Sequence, residues 1–221
     1  MSDSPHYQHG DAPAPEGVPA DALISSDTQR AERLPPRQAR TRKWPVRQAN
    51  AVAKVLQADW RLEVDGLVEN PLVLPWSEFQ TLPRTQMFGD FHCVERWSRL
   101  GNLWEGVAIG EILANVAPRP EAKFAIVYAS DGSWATNLPL TDFAGEDVLL
   151  ADMHDGEPLD SDHGGPVRLV VPRLYAWKSA KWIRRIEFVA EDRSGFWERA
   201  GYHPHGDPWQ EERFDEEGPL A

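Results

Sequence analysis

The segment "DFHCVERWSR" (90–99) sets a histidine beside the only cysteine of the chain, Cys93. One thiol closes no internal disulfide, and no second cysteine stands at zinc-ligand spacing. Three chemistries stay open for it. Cys93 can fill a core gap as a small hydrophobe. It can be a nucleophile if a histidine base meets it in space. In an extended segment His92 and Cys93 point to opposite faces, which leaves His163 as that base. It can also be a single thiolate ligand to a metal whose other ligands come from a cofactor, a role that soft sulfur suits.

A second chemical stretch runs from His163 to Ile186. It contains no acid, yet holds Arg168, Arg173, Lys178, Lys181, Arg184 and Arg185, in a chain whose formal net charge is −12. Arginine forks and lysine point charges grip phosphate. Gly164 and Gly165 beside them would let backbone N–H groups approach an oxyanion. The alternative is a basic face balanced by the acidic segment after Glu187. Upstream, "LPPRQARTRKWPVRQAN" (34–50) is basic too, either a solvated arm or an arm lying over an anionic ligand. His154, His203 and His205 read as surface or loop residues, and "HPHGDPW" (203–209) lacks a third obvious metal ligand.

The elements that must position these residues follow from periodicity. "WRLEVDGLV" alternates apolar and charged residues as a half-buried strand does. "PWSEFQTLP" starts a short helix at Pro75. "GDFHCVE" is a strand or the loop leaving one, and "EGVAIGEILANV" spaces Val107, Ile109, Ile112, Leu113 and Val116 helically. "KFAIVYAS" and "SWATNLPL" flank a turn at Asp131-Gly132. "DVLLADMHDGEPL" pairs two runs around Asp155-Gly156. "VRLVVP" is a fully covered strand ended by Pro172, and "KWIRRIEFVA" is the last strand. The aromatic-rich "GFWERAGYHPHGDPWQEERF" is expected to wrap back onto the core. Many short strands with few helices make the class α+β.

The 221 residues fit one domain, 35–214, between a disordered tail at 1–34 and a short tail at 215–221. The acidic balance argues against nucleic acid or an anionic membrane as partner. No run approaches the ~20 apolar residues of a membrane span. With no secretory start and no disulfide, the expected location is cytoplasmic.

Taken together, "FHCVERWS…WEGVAIGEIL", "DGEPLDSDHGGPVRLVVPRLY" and "KSAKWIRRIEF" resemble the molybdopterin-binding domain of the sulfite oxidase fold. The likeness is strongest to its stand-alone bacterial and archaeal oxidoreductases. It implies mixed β-sheets with short helices, here without the family's immunoglobulin-like dimerisation domain. It implies a molybdenum-molybdopterin cofactor with Cys93 ligating the metal beside two dithiolene sulfurs. It implies His163, Arg168, Ser179, Ala180 and Lys181 as pterin or phosphate contacts, with Ser179 and Ala180 acting through backbone. Lys43, Arg47 and Asn50 stand where an N-terminal arm touches the pterin in related reductases. The arginine pair of sulfite oxidases proper is absent: Arg96 and Arg99 stand at other offsets. Trp134 replaces their tyrosine, so sulfite is not the expected substrate. Arg96 and Trp134 are expected to line the substrate entrance. The implied activity is oxygen-atom transfer to or from a small oxyanion or oxide. A one-cysteine chain has no Cys-x-x-Cys-His haem site and no iron–sulfur set, so electrons are expected to pass to a separate partner. Two other readings are a non-catalytic pterin-binding protein of the same fold and a thiol hydrolase using Cys93 and His163.

Overall fold

The computed structural model describes residues 18–215. In chain order the strands are β1 (Leu23–Ile24), β2 (Ala39–Thr41), β3 (Arg61–Gly66), β4 (Leu72–Pro75), β5 (Thr85–Cys93), β6 (Trp97–Ala108), β7 (Phe124–Ala129), β8 (Ala135–Pro139), β9 (Leu149–His154), β10 (Glu157–Pro158), β11 (Arg168–Val170) and β12 (Ile183–Val189). Three short helices lie between them: α1 (Trp76–Phe79), α2 (Ile109–Val116) and α3 (Leu140–Phe143). The strands form two sheets. One runs β1-β5-β6-β9-β10, with β11 on β9 and β2 on β6; the other runs β4-β3-β12-β7-β8. The architecture is α+β, as its strand-rich pattern requires.

The apolar pattern explains the layering. In β3, Leu62 and Val64 are buried while Arg61 faces out, the period-two pattern of a sheet with one wet face. β11 is buried at every position, the charged Arg168 included. The main core joins both sheets through Leu62, Val107, Ile112, Val127, Leu150, Leu169 and Ile186. Each such side chain contributes about 1.5–3 kcal/mol on burial. A smaller core gathers Met87, Phe91, Trp104 and Leu149 under Trp44.

Two expectations need correction. The helical spacing from Glu105 misleads over its first turn, because Glu105–Ala108 continue β6 and the helix starts at Ile109. Gly106 passes so close to the backbone of Leu150 and Ala151 that a Cβ there would collide, and Val107 pairs with Leu150. Cross-strand packing decides against local periodicity.

The second correction concerns the N-terminal segment, which is not disordered over 18–34. β1 pairs with β5, and Ser25, Asp27, Thr28 and Arg33 are buried. Arg33 grips Asp90 through two hydrogen bonds of 2.9 and 2.6 Å, and Ser25 Oγ donates to Asp147 at 2.8 Å. The segment is poor in apolar residues, yet Ser25 and Arg33 find buried carboxylate partners elsewhere in the fold, which composition does not reveal. The domain therefore begins before residue 35; residues 1–17 and 216–221 lie outside the described ones.

The C-terminal segment wraps back as expected. Tyr202 bridges to Phe214, and Glu198 accepts a 2.7 Å hydrogen bond from the fully buried Lys178. His205 sits between Asp142 of α3 (3.2 Å) and Glu212 (2.7 Å). The hydrogen bond to Asp142 leads the causes that raise its pKa to about 9. A histidine raised above its ordinary value stabilises the fold fully below about pH 6.5, and that contribution is lost as pH rises through about 9. The melting-temperature gap between wild type and His205→Gln should therefore be widest near pH 6 and close by about pH 10. A gap independent of pH would contradict the charged clamp.

Candidate functional site

Cys93 ends β5 and faces Trp97 across the hairpin to β6. The turn closes through Arg96, whose left-handed backbone (φ 69°) lets its N–H donate to Cys93 O at 3.1 Å. Both ends of the chain brace this turn. Gln38 Nε2 donates to Cys93 O at 3.0 Å, and the buried Arg213 donates to Val94 O at 2.6 Å. His92 points the other way and is buried, with Nδ1 2.8 Å from Ser98 Oγ. Burial lowers its pKa to about 4, so it is neutral. The predicted divergence of the two side chains is present.

The Cys93 thiol lines a cleft whose other walls include Trp44, Phe91, Trp134, His163, Arg168, Trp177, Lys181 and Trp197. Burial pushes its pKa up to about 11, the reverse of what a free nucleophile needs. The candidate base is also engaged. His163 Nδ1 lies 2.9 Å from Asp160 Oδ1, and Nε2 lies 3.2 Å from Trp44 O. The thiol-hydrolase reading loses both its thiolate and its base. Among the described residues no group of three or more His, Cys, Asp or Glu side chains could hold a metal alone. A metal at Cys93 must draw other ligands from outside the chain.

Arg168 defines the floor of the cleft. Its side chain is fully buried, yet its hydrogen bonds go to carbonyls: His163 O (2.8 Å), Ser179 O (2.9 Å) and Leu169 O (3.4 Å). Among the described residues no carboxylate pairs with it. Phe91, Trp104 and Trp44 surround it with ring centroids 5.2, 5.5 and 5.8 Å from its central carbon. Desolvation lowers its pKa to about 9. Lys181, also on the wall, is lowered to about 8, by burial first and by Arg168 second. Two adjacent desolvated cations are costly unless an anion compensates them, so the cleft is chemically suited to a phosphate-bearing group.

The basic window does not act as one site. Arg173 pairs with Asp147, Arg185 with Asp65 and Lys178 with Glu198, and Arg184 donates to Ala129 O at 2.8 Å, leaving Arg168 and Lys181 to the cleft. The two glycines do not offer N–H groups to an oxyanion, because Gly164 N donates to Ser161 O and Gly165 N to Asp160 O. Their role is close packing. A Cβ on Gly164, at φ 105°, would stand 2.9 Å from Lys181 Cβ, and one on Gly165 would collide with Leu159 O.

The other predicted residues divide. Trp134 lines the cleft and also belongs to the main core. Arg47 lines the cleft and pairs with Glu95 at 2.5 Å. Asn50 donates to Asp131 at 3.2 Å. Arg96, expected at the substrate entrance, is exposed in its turn and does not line the cleft, although Glu95 and Trp97 on either side of it do. Ser179 lines the cleft, but its N–H is spent on Ala176 O; Ala180 is fully buried, and its carbonyl accepts from Leu169 N. Sequence reasoning missed His154, which is buried beneath Trp44 with ring centroids 4.2 Å apart. Burial lowers its pKa to about 3. The signal was its place on β9 opposite Trp104 of β6, a register the sequence does not announce. Trp44 itself stacks on His163 at 3.9 Å, so the basic arm does lie over the cleft.

Comparison with known proteins follows this geometry. Residues 49–197 match the oxidoreductase molybdopterin binding domain. The chain is 47% identical over 183 residues to the oxidoreductase YuiH of Bacillus subtilis (strain 168), covering 82% of this chain and 92% of that protein. It is 29% identical over 156 residues to the protein-methionine-sulfoxide reductase catalytic subunit MsrP of Campylobacter jejuni, covering 63% of this chain and 52% of MsrP. Among solved structures, the sulfane dehydrogenase SoxCD from Paracoccus pantotrophus superposes with a TM-score of 0.59 at 27% identity. That match covers 63% of this chain and 40% of the SoxCD chain. The chain thus spans about half of MsrP and less than half of the SoxCD chain.

Arg168→Gln keeps a donor for the carbonyls but removes the charge. It should lower retained molybdenum and pterin at least about tenfold, a loss of roughly 1.4 kcal/mol or more in cofactor binding, with the far-ultraviolet circular dichroism unchanged. Full retention would show that the charge is structural.

Proposed function

The chain belongs to the oxidoreductase molybdopterin-binding family, whose cofactor is molybdenum-molybdopterin, and on that premise we propose that it transfers an oxygen atom to or from a small substrate at a molybdenum ligated by Cys93. One observation carries the reading: a single buried thiol and a buried guanidinium with no carboxylate partner among the described residues line the same cleft. The cofactor, when bound, supplies a metal that can accept or release an oxygen atom with a pair of electrons. Everything else is asked of the chain's own side chains.

Cys93 would bind as thiolate. Its proton stays on in the apolar cleft until a cation is there to replace it. The braced hairpin turn fixes its sulfur, which limits reorganisation at the metal. Arg168 and Lys181 would hold the cofactor's phosphate, offsetting two desolvation penalties at once. His163, oriented by Asp160 and stacked on Trp44, would close the pterin side. Trp134 and Trp177, both largely buried, would keep bulk water from the reacting centre. Electrons would pass to a separate partner, since the chain has too few cysteines for an iron–sulfur centre. No helix among the described residues is long and apolar enough to cross a membrane. We place the enzyme in the cytoplasm, in keeping with a lone thiol that needs no oxidising compartment.

The test is metal and pterin quantitation on protein made in molybdate-supplied cells, beside Cys93→Ser. Wild type should hold about one molybdenum per chain, show a thiolate-to-metal absorption band, and turn over at least one oxide in a dye-coupled screen. Cys93→Ser should fold, lose the band and lose turnover by more than about a hundredfold. A Cys93→Ser protein with unchanged turnover would overturn the reading.

A further inference from the structure

The segment from Arg33 to Ala58 contains no acid and seven cations, in a chain whose formal net charge is −12. Three of the seven are answered. Arg33 meets the buried Asp90, Arg37 meets Glu211 at 3.2 Å, and Arg47 meets Glu95 at 2.5 Å. The other four, Arg40, Arg42, Lys43 and Lys54, are exposed, and no carboxylate pairs with them among the described residues. Arg96 is exposed in the Cys93 turn and likewise has no carboxylate partner among the described residues.

The fold gathers four of these charges. β2 holds Arg40 and lies parallel to β6, with Ala39 opposite Trp97 and Arg40 opposite Ser98. Ala39 N–H donates to Arg96 O at 2.9 Å. Lys43 N–H donates to Thr41 Oγ1 at 3.0 Å, which fixes the chain as it leaves β2. Arg40, Arg42, Lys43 and Arg96 thus stand on two adjoining segments, the arm and the hairpin turn that carries the thiol. Directly after Lys43 the arm enters the site. Trp44 stacks on His163 at 3.9 Å, and Trp44, Pro45 and Arg47 line the cleft with Cys93. Val46 among them is 37% exposed and adds an apolar spot beside the charges.

A small anion does not need this spread, because Arg168 and Lys181 already serve one inside the cleft. Four exposed cations on two segments fit an extended anionic surface. A membrane or a nucleic acid would reach past the patch and meet the acidic remainder of the chain. A small acidic protein can touch the patch alone, and weak electron-transfer encounters use small interfaces.

We infer that Arg40, Arg42, Lys43 and Arg96 form the docking surface for the electron-transfer partner, and that this partner is an acidic one-electron carrier protein. The inference rests on the molybdenum reading above and reaches further, since that reading leaves the chemistry of the partner open. The acidic remainder of the chain repels such a carrier while the patch attracts it. The encounter is therefore oriented, with the carrier against the Cys93 turn. The balance is simple: when a substrate gains an oxygen atom from water, two protons and two electrons leave, and two carriers are reduced. The reverse reaction consumes two reduced carriers.

Flavodoxin, a small acidic flavoprotein, serves as the probe. Its affinity for loaded protein is measured at low and high salt, with molybdenum and pterin quantified in the same sample. Wild-type binding should weaken about tenfold between ~20 and ~200 mM salt. Arg40→Glu/Arg42→Glu should weaken it at least about tenfold at the lower salt, with melting temperature and cofactor content unchanged. Arg42→Glu/Lys43→Glu, which lies outside β2, repeats the test should the strand not tolerate a carboxylate. Arg61→Gln/Lys123→Gln, at exposed positions of the other sheet, should change affinity less than about twofold. Electron exchange with flavodoxin should fall in Arg40→Glu/Arg42→Glu, while exchange with a small neutral dye stays at the wild-type rate. Absent flavodoxin binding, or binding unchanged in both reversed variants, overturns the inference alone. So does retention on phosphatidylglycerol vesicles but not on flavodoxin, which would make the patch a membrane contact. A wild-type sample without molybdenum and pterin brings down the reading beneath, and the electron-transfer role with it, whether or not flavodoxin binds.

Discussion

A guanidinium that meets no carboxylate among the described residues, sealed beneath three aromatic rings, is the condition the rest of this molecule answers to. Removing Arg168 from water is expensive, and its carbonyl partners return part of the cost as dipoles rather than as charge. Lys181 nearby deepens the deficit. A chain with a net charge of −12 has carboxylates to spare, yet it places them on Arg173, Arg185 and Lys178 and withholds them here. The positive floor is therefore held for an anion from outside, which the phosphate of the family's cofactor supplies.

The same economy shapes the scaffold. A thiol that serves as one ligand among several must be held still, and the β5–β6 hairpin would fray at its tip if left to itself. Gln38 from the N-terminal side and Arg213 from the C-terminal side both bond the backbone of that turn. The segments around Gln38 and Arg213, from either end of the described fold, are thus part of the support of the site. Rigidity at the sulfur is obtained from distant segments, and residues far from the metal should influence it through the turn.

Much of this was legible in advance, for physical reasons that can be named. Alternation in β3 and the Asp-Gly turns gave their elements directly, because each is a local pattern. Cys93 and the basic window stood out because a lone thiol and an acid-free run of six cations are unusual in an acidic chain, and the family resemblance picked Arg168 and Lys181 from that window. The misses are non-local. The ordered stretch before residue 35 is fixed by Arg33–Asp90 and Ser25–Asp147, pairs separated by more than fifty residues. His154 enters the site through a strand register, and Glu105–Ala108 follow β9 rather than their own helical spacing. Gly164 and Gly165 looked like an oxyanion cradle and are packing glycines instead, which only their occupied N–H groups could tell.

The account therefore makes one structural claim above the others: the cleft holds its cofactor at both ends, sulfur on the metal and cations on the phosphate. X-ray absorption at the molybdenum edge addresses the first end directly. Loaded wild-type protein should show one more sulfur in the metal's first shell than Cys93→Ser prepared in the same way. An identical sulfur count in the two proteins would mean that Cys93 is a packing residue, and the account would fail.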